Sequence, residues 1–258
     1  MVLGVLSTAL LLVAVAALFV GSASISPRAV LSAMAGRAAP ESVERVVTLS
    51  IRLPRIAVAA LAGGALAVAG VAFQALTRNP LAEPSVLGVS SGAAFGVVLG
   101  QSLGLGLTFL EAAGLTAFAF AGALLAAVGF WLVASHAREL NLMALGEETA
   151  LVLGVGAERL KLTIFVGASL LTASVVAFTG PIGFVGLIVP HALRILLGSD
   201  NRLLVPASLL GGGIFLLVAD TVARNVVAPA EMSVGVITSL CGAPFFVYLL
   251  RTRYRANL

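Results

Sequence analysis

The chain has 258 residues, of which 60% are hydrophobic and 10% charged, against about 45–50% and about 25% in an ordinary soluble domain. With a mean hydropathy of +1.14, this excludes a soluble globular domain and defines an all-α polytopic membrane protein, because helices that satisfy their own backbone can cross a bilayer core about 30 Å thick. The net charge of +4 comes from 15 Lys and Arg against 11 Asp and Glu; the cations edge the apolar runs, as membrane topology requires, and do not form a nucleic-acid patch. One cysteine, Cys241, excludes a disulfide framework and a multi-cysteine metal or redox site. His136 and His191 lie far apart, and no GxxxxGK[ST] phosphate loop is present, so the chain brings no ATPase site of its own.

In chain order, apolar runs bounded by charges or by Gly and Pro predict eight crossings: Leu3–Val20, Ile56–Leu76, Val86–Leu103, Ala113–Val133, Leu162–Phe178, Ile182–Leu197, Leu203–Ala219 and Val234–Leu250. The first lacks the basic start of a signal peptide and reads as a span. Thr179-Gly180-Pro181 interrupts an otherwise continuous run, since Pro breaks the hydrogen-bond ladder. An even count puts both termini on one face, and Arg251, Arg253 and Arg255 place that face in the cytoplasm. Arg78, Arg138, Arg159, Lys161, Arg194 and Arg202 fall on the same side, against Arg28, Arg37, Arg45, Arg52, Arg55 and Arg224 outside, so the bias is nine to six.

Two connecting stretches are long and polar. Residues 21–55 form an outer loop in which Ser26-Pro27 can cap a short helix. Residues 136–161 carry Leu140, Met143, Ala144, Ala150, Leu151 and Leu153 at roughly helical spacing, with Glu147 and Glu148 where a helix dipole favours acids. They read as two short amphipathic helices joined at Gly146 on the membrane surface. Between residues 52 and 98, small residues at Ala59, Gly63, Ala67 and Gly70 permit close helix approach. Gln74 is polar within a span and needs a partner or a wet path. Arg78-Asn79-Pro80-Leu81-Ala82-Glu83-Pro84 is a turn stiffened by two prolines.

These stretches, in this order, resemble the FecCD-type permease subunits of ABC importers for iron–siderophores, haem and vitamin B12. The resemblance rests on Arg52-x-Pro54-Arg55, Gly63 to Gly70, Gln74, Arg78 to Pro84, Leu87-Gly88 and Gly92-Ala93. It continues through Leu145-Gly146-Glu147-Glu148 with Leu153-Gly154-Val155 and Gly180 to His191 with Arg194. Ala219-Asp220 with Ala223-Arg224, Val234-Gly235 and Gly242 to Phe246 complete it. It implies a single permease domain over residues 1–258 of the bacterial cytoplasmic membrane. The domain would work with a second permease subunit, identical or a paralogue, with two separate ATPase subunits and with an extracytoplasmic substrate-binding protein. No cofactor, metal or chemistry on the substrate is implied.

Carried onto this sequence, the resemblance implies three sites. Arg52, Arg55 and Arg224 would dock the binding protein; Gln74, Asn79 and Leu81 would line the pathway or its inner gate. Ala144, Leu145, Gly146, Glu147, Glu148, Leu153 and Gly154 would contact the ATPase. Structural alternatives stand beside them. Arg52 and Arg55 suit interfacial anchors, Asp220 and Arg224 neutralise each other at i,i+4, residues 136–161 could form a plain surface loop, and His191 reads as a structural polar residue that hydrogen-bonds a neighbouring helix rather than as a metal ligand. The family resembles a ten-helix subunit, whereas here the fourth span runs from Trp131 straight into Arg138, so about two central helices are missing. An ion-gradient-driven transporter would need acids near the midplane, but Glu111 and Asp220 sit near span ends. A membrane hydrolase would need acidic partners for His136 and His191. A transport-inactive shortened relative is the remaining alternative.

Overall fold

The computed structural model describes residues 1–84, 88–102, 121–228 and 230–256. Leu87, Glu111 and the first part of the predicted fourth span fall outside them. The described chain is helical: α1 Val2–Phe19, α2 Pro27–Met34, α3 Val43–Arg45, a π-helical stretch Val46–Arg52, α4 Leu53–Thr77 and α5 Val89–Ser102. There follow α6 Ala121–Ser135, α7 Ala137–Ala144, α8 Glu147–Val152, α9 Ala157–Thr179, α10 Val185–Leu197, α11 Asn201–Asn225 and α12 Val234–Ala256.

Among the described residues, five helices are long and apolar enough to cross a membrane, and α6 with α7, bent by 51°, makes a sixth when counted as one span. The predicted crossings at Val86–Leu103 and Ile182–Leu197 correspond to α5 and α10, of 14 and 13 residues. At 1.5 Å per residue α10 is roughly 20 Å long, shorter than the hydrocarbon core, and α5 is described up to Ser102. For α10 the cause is local: after α9 the chain turns at Gly180 (φ 72°) and Phe184 (φ 68°) before helix resumes. Residues 43–55, expected within the outer loop, are helical and extend α4 into one element from Val43 to Thr77. Ser26 does cap α2, its hydroxyl accepting from the Ala29 N–H, with Pro27 in the first turn.

The centre is the α4–α11 pair. A Cβ on Gly63 would collide with the Gly212 carbonyl, and one on Gly212 with that of Gly63, so the two backbones touch. Farther along α4, Gly70 meets the Gly186 carbonyl at the start of α10 in the same way. Val68, Val71 and Phe73 are fully buried around these contacts, and the Phe73 ring meets Phe165 of α9 edge-on. α1 lies outside α11, α9 and α10 flank α4, and α12 packs on α10 and α11. At the last of these contacts His191 stacks edge-on against Phe245, their ring centroids 5.6 Å apart.

Candidate functional sites at the two ends of the bundle

One end gathers the C-termini of α1 and α11 and the N-terminus of α4. Arg52 is 3% exposed. Its guanidinium donates to the Leu18 carbonyl at 2.7 Å, which the last turn of α1 leaves without a helical donor, and to the Ala23 carbonyl at 2.6 Å in the connection that follows. Arg55 grips Asp220 through Nε at 3.1 Å and Nη2 at 3.0 Å and reaches Glu231 through Nη1 at 2.8 Å. Arg224, also buried, lies 3.1 Å from the other oxygen of Asp220. The three expected docking arginines are thus together, but Arg52 and Arg224 are enclosed by this chain alone. Only Arg55, with 34% of its side chain exposed, is open to solvent. The sequence supplied the Asp220–Arg224 pairing; it gave no signal that Arg55 shares Asp220 across 165 positions or that Glu231 joins them.

At the opposite end, the three expected pathway residues differ in exposure: Gln74 is buried, and Asn79 and Leu81 share the turn after α4. Gln74 is 2% exposed. Its amide donates to the Gly186 carbonyl at 3.0 Å and accepts from Arg194 at 3.0 Å, so it ties α4 to both ends of α10. It faces packed helices in this chain and meets the need for a partner that its depth creates. Asn79 is exposed in the turn after α4, its side-chain oxygen accepting from the Leu81 N–H at 3.1 Å. Arg78 takes the left-handed conformation (φ 51°) that stops the helix.

The surface helices fold where the apolar spacing places them. Leu140, Met143 and Ala150 are buried, fixing α7 and α8 to the bundle, and Gly146 (φ 123°) makes the bend between them. Leu145, Leu151, Val152 and Leu153 then point outward, 54% to 88% exposed, beside Ala144, Glu148 and Gly154. Glu147 at the start of α8 is held by Lys161 at 2.6 Å, which also meets Glu158 at 3.1 Å. The sequence reading missed Asn141 on α7. Its side-chain oxygen accepts from the backbone N–H of Asn201 at 2.8 Å and from that residue's amide at 2.9 Å. Its own amide donates to Asp200 at 2.7 Å. Asp200 caps α11 by accepting from the Arg202 N–H, and that bond followed by the Asn141 bond holds its carboxyl below the usual carboxylate range.

A glycine-packed helical bundle, polar at both ends and carrying an unpartnered apolar ledge on one face, has the build of a multi-pass membrane transport subunit. No grouping of His, Cys, Asp and Glu suited to a metal occurs among the described residues. The chain belongs to the FecCD transport family, whose sequence profile matches residues 9–138 and 127–252.

It is 38% identical to the cobalamin import system permease BtuC of Halobacterium salinarum, over 83% of this chain and 75% of that one. It is 32% identical to the ferric enterobactin permease FepD of Escherichia coli, over 96% of this chain and 94% of that one. An inward-facing metal-chelate type ABC transporter of known structure superimposes with a TM-score of 0.77 at 30% identity, covering 97% of this chain and 98% of that one. The FepD alignment runs over 321 positions against 258 residues here, so at least 63 of its residues have no counterpart. The two profile matches overlap at residues 127–138, the stretch that holds Trp131 and Arg138.

Proposed function

We propose that the chain is the permease subunit of a binding-protein-dependent ABC importer, moving an iron chelate, haem or cobalamin across the bacterial cytoplasmic membrane by alternating access. Its termini face the cytoplasm, and it acts with a second permease subunit, two ATPase subunits and a substrate-binding protein. The observation that carries this reading is the α7–α8 ledge. Four large apolar side chains are exposed beside Glu147 and Glu148 at the end of the bundle that carries the polar connections, a surface suited to a protein groove. Closure of an ATPase dimer would move such a ledge as a rigid body.

Docking of the binding protein is assigned to the surface around Arg55, with Arg52 and Arg224 as its buried supports. Asn79 and Leu81 line the inner mouth, and Gln74 holds the wall behind it. The test is reconstitution in liposomes with the ATPase and binding protein expressed from neighbouring genes. ATP-dependent uptake of a ferric siderophore, haem or cobalamin is expected, and replacing Leu145 and Glu147 by Ala should abolish uptake while leaving hydrolysis. Uptake driven by an ion gradient without ATPase would overturn the reading. Full assembly with no uptake of any chelate would instead mark the lost helices as having closed the pathway.

A further inference from the structure

The two sites lie at opposite ends of a stiff path, and at its inner end α7, packed on the bundle through Leu140 and Met143, is hydrogen-bonded to α11 through one side chain. α11 runs 25 residues from Asn201 to Asn225, about 37 Å at 1.5 Å per residue, and carries Asp220 and Arg224 at its far end. Its backbone contact with α4 through Gly63 and Gly212 leaves no room for the two helices to slide apart and repack, and Arg55 binds the pair again at the outer end. At the near end, α11 begins with backbone N–H groups that need acceptors. Asp200 serves Arg202, and Asn141 from α7 serves Asn201. Asn201 is 4% exposed and gives its side-chain amide to the same Asn141 oxygen. α8, by contrast, is held in part by Lys161 and Glu147, an ion pair in water that contributes little.

We propose that Asn141 is a positioning residue that pins α7 to the foot of α11, delivering a displacement of the α7–α8 ledge through the α4–α11 pair to the arginine cluster at the other end. The inference rests on the permease reading above and adds to it the residue through which the ledge acts. By reciprocity, occupancy of the outer end biases the ledge through the same joint.

The geometry provides an exchange test. N141D sets a carboxylate against Asp200 and removes the donor between them. D200N alone keeps an acceptor for both Arg202 and Asn141. The double exchange N141D/D200N rebuilds the joint, with Asp at 141 accepting from both donors of Asn201 and from the amide of Asn at 200, and gives up only the exposed bond from the Arg202 N–H, which shares the Asp200 oxygen that Asn141 uses. In liposomes holding the complete transporter, N141D should lower substrate moved per ATP hydrolysed by about tenfold, as loss of a charge-assisted contact between coupled elements implies. D200N should stay within about twofold of the parent, and the exchange should restore it.

N141D should also abolish the change in binding-protein affinity that ATP causes in the parent, a readout that loss of stability alone does not move. If N141D does not assemble, Asn141→Ser replaces it, with the same expectation. Unchanged transport per ATP in the single variant overturns the assignment. So does failure of the exchange to restore it in a complex of normal heat stability. Absence of ATP-dependent uptake by the parent overturns the permease reading and this inference with it, whereas parental uptake with unaffected variants overturns the joint alone.

Discussion

α1 and α4 are both apolar enough to cross a bilayer, yet α4 has 78% of its span buried inside the chain and α1 only 11%. Hydropathy does not distinguish them; side-chain size does. α4 carries Gly63, Gly64 and Gly70 among alanines, and each of these glycines meets backbone of a neighbouring helix. α1 presents Val5, Leu11, Leu12 and Val15 outward, and its Gly4 faces open space. In lipid, where burying a leucine gains little, close backbone approach is what selects the central helix. α12, 17% buried, belongs with α1: it carries exposed large side chains such as Leu240 and Val247.

The contrast breaks most sharply with matched glycine substitutions. Gly70→Leu should cost about 3 kcal/mol or more by driving α10 away from α4, and Gly4→Leu should stay within about 0.5 kcal/mol. Thermal unfolding of the purified protein followed by tryptophan fluorescence measures both, and equal losses would remove the distinction. Next in size, Asp220→Asn should cost about 3 kcal/mol by leaving the buried Arg224 and its neighbour Arg55 short of their counter-charge; the same melts in low and high salt report it. Gln74→Leu should cost about 2 kcal/mol, because the Gly186 carbonyl and Arg194 lose their partner at depth, read as earlier proteolysis near residues 180–184.

The smallest effect lies in water, at Asp200. Its folded-state pKa is lowered, so its contribution is complete above the unfolded value of about 3.9 and is lost as pH falls from there through the folded value. Fluorescence quenching between labels on α7 and α11 should therefore hold through neutral pH and relax only in acid. In D200N the relaxation should disappear.

How much of this could be read from the chain follows from the range of each interaction. The small residues of α4, the bend at Gly146, the acids opening α8 and the Ser26 cap are local patterns, and the helices formed where those patterns lie. Residues 43–55 read as loop because Arg45, Arg52 and Arg55 stood in them. Arg52 is nevertheless helical and buried, since the open Leu18 carbonyl of α1 and the Ala23 carbonyl after it supply the partners a deep cation needs. Periodicity contains nothing about such a partner 34 positions away. Asn141 was hidden for the same reason: on an amphipathic helix one more polar residue reads as a wet face, and only the arrival of α11 turns it into a joint.

The Arg52 latch also constrains the order of events during synthesis. α1 reaches the bilayer well before the residue that closes its outer end has left the ribosome, and Leu18 waits for a donor 34 positions downstream. Until then this contact does not fix the end of the first helix, which its own apolar length keeps in the bilayer. A nascent chain arrested before residue 52 should leave the end of its leading segment open to proteolysis after residue 18, and one arrested after α4 has emerged should not.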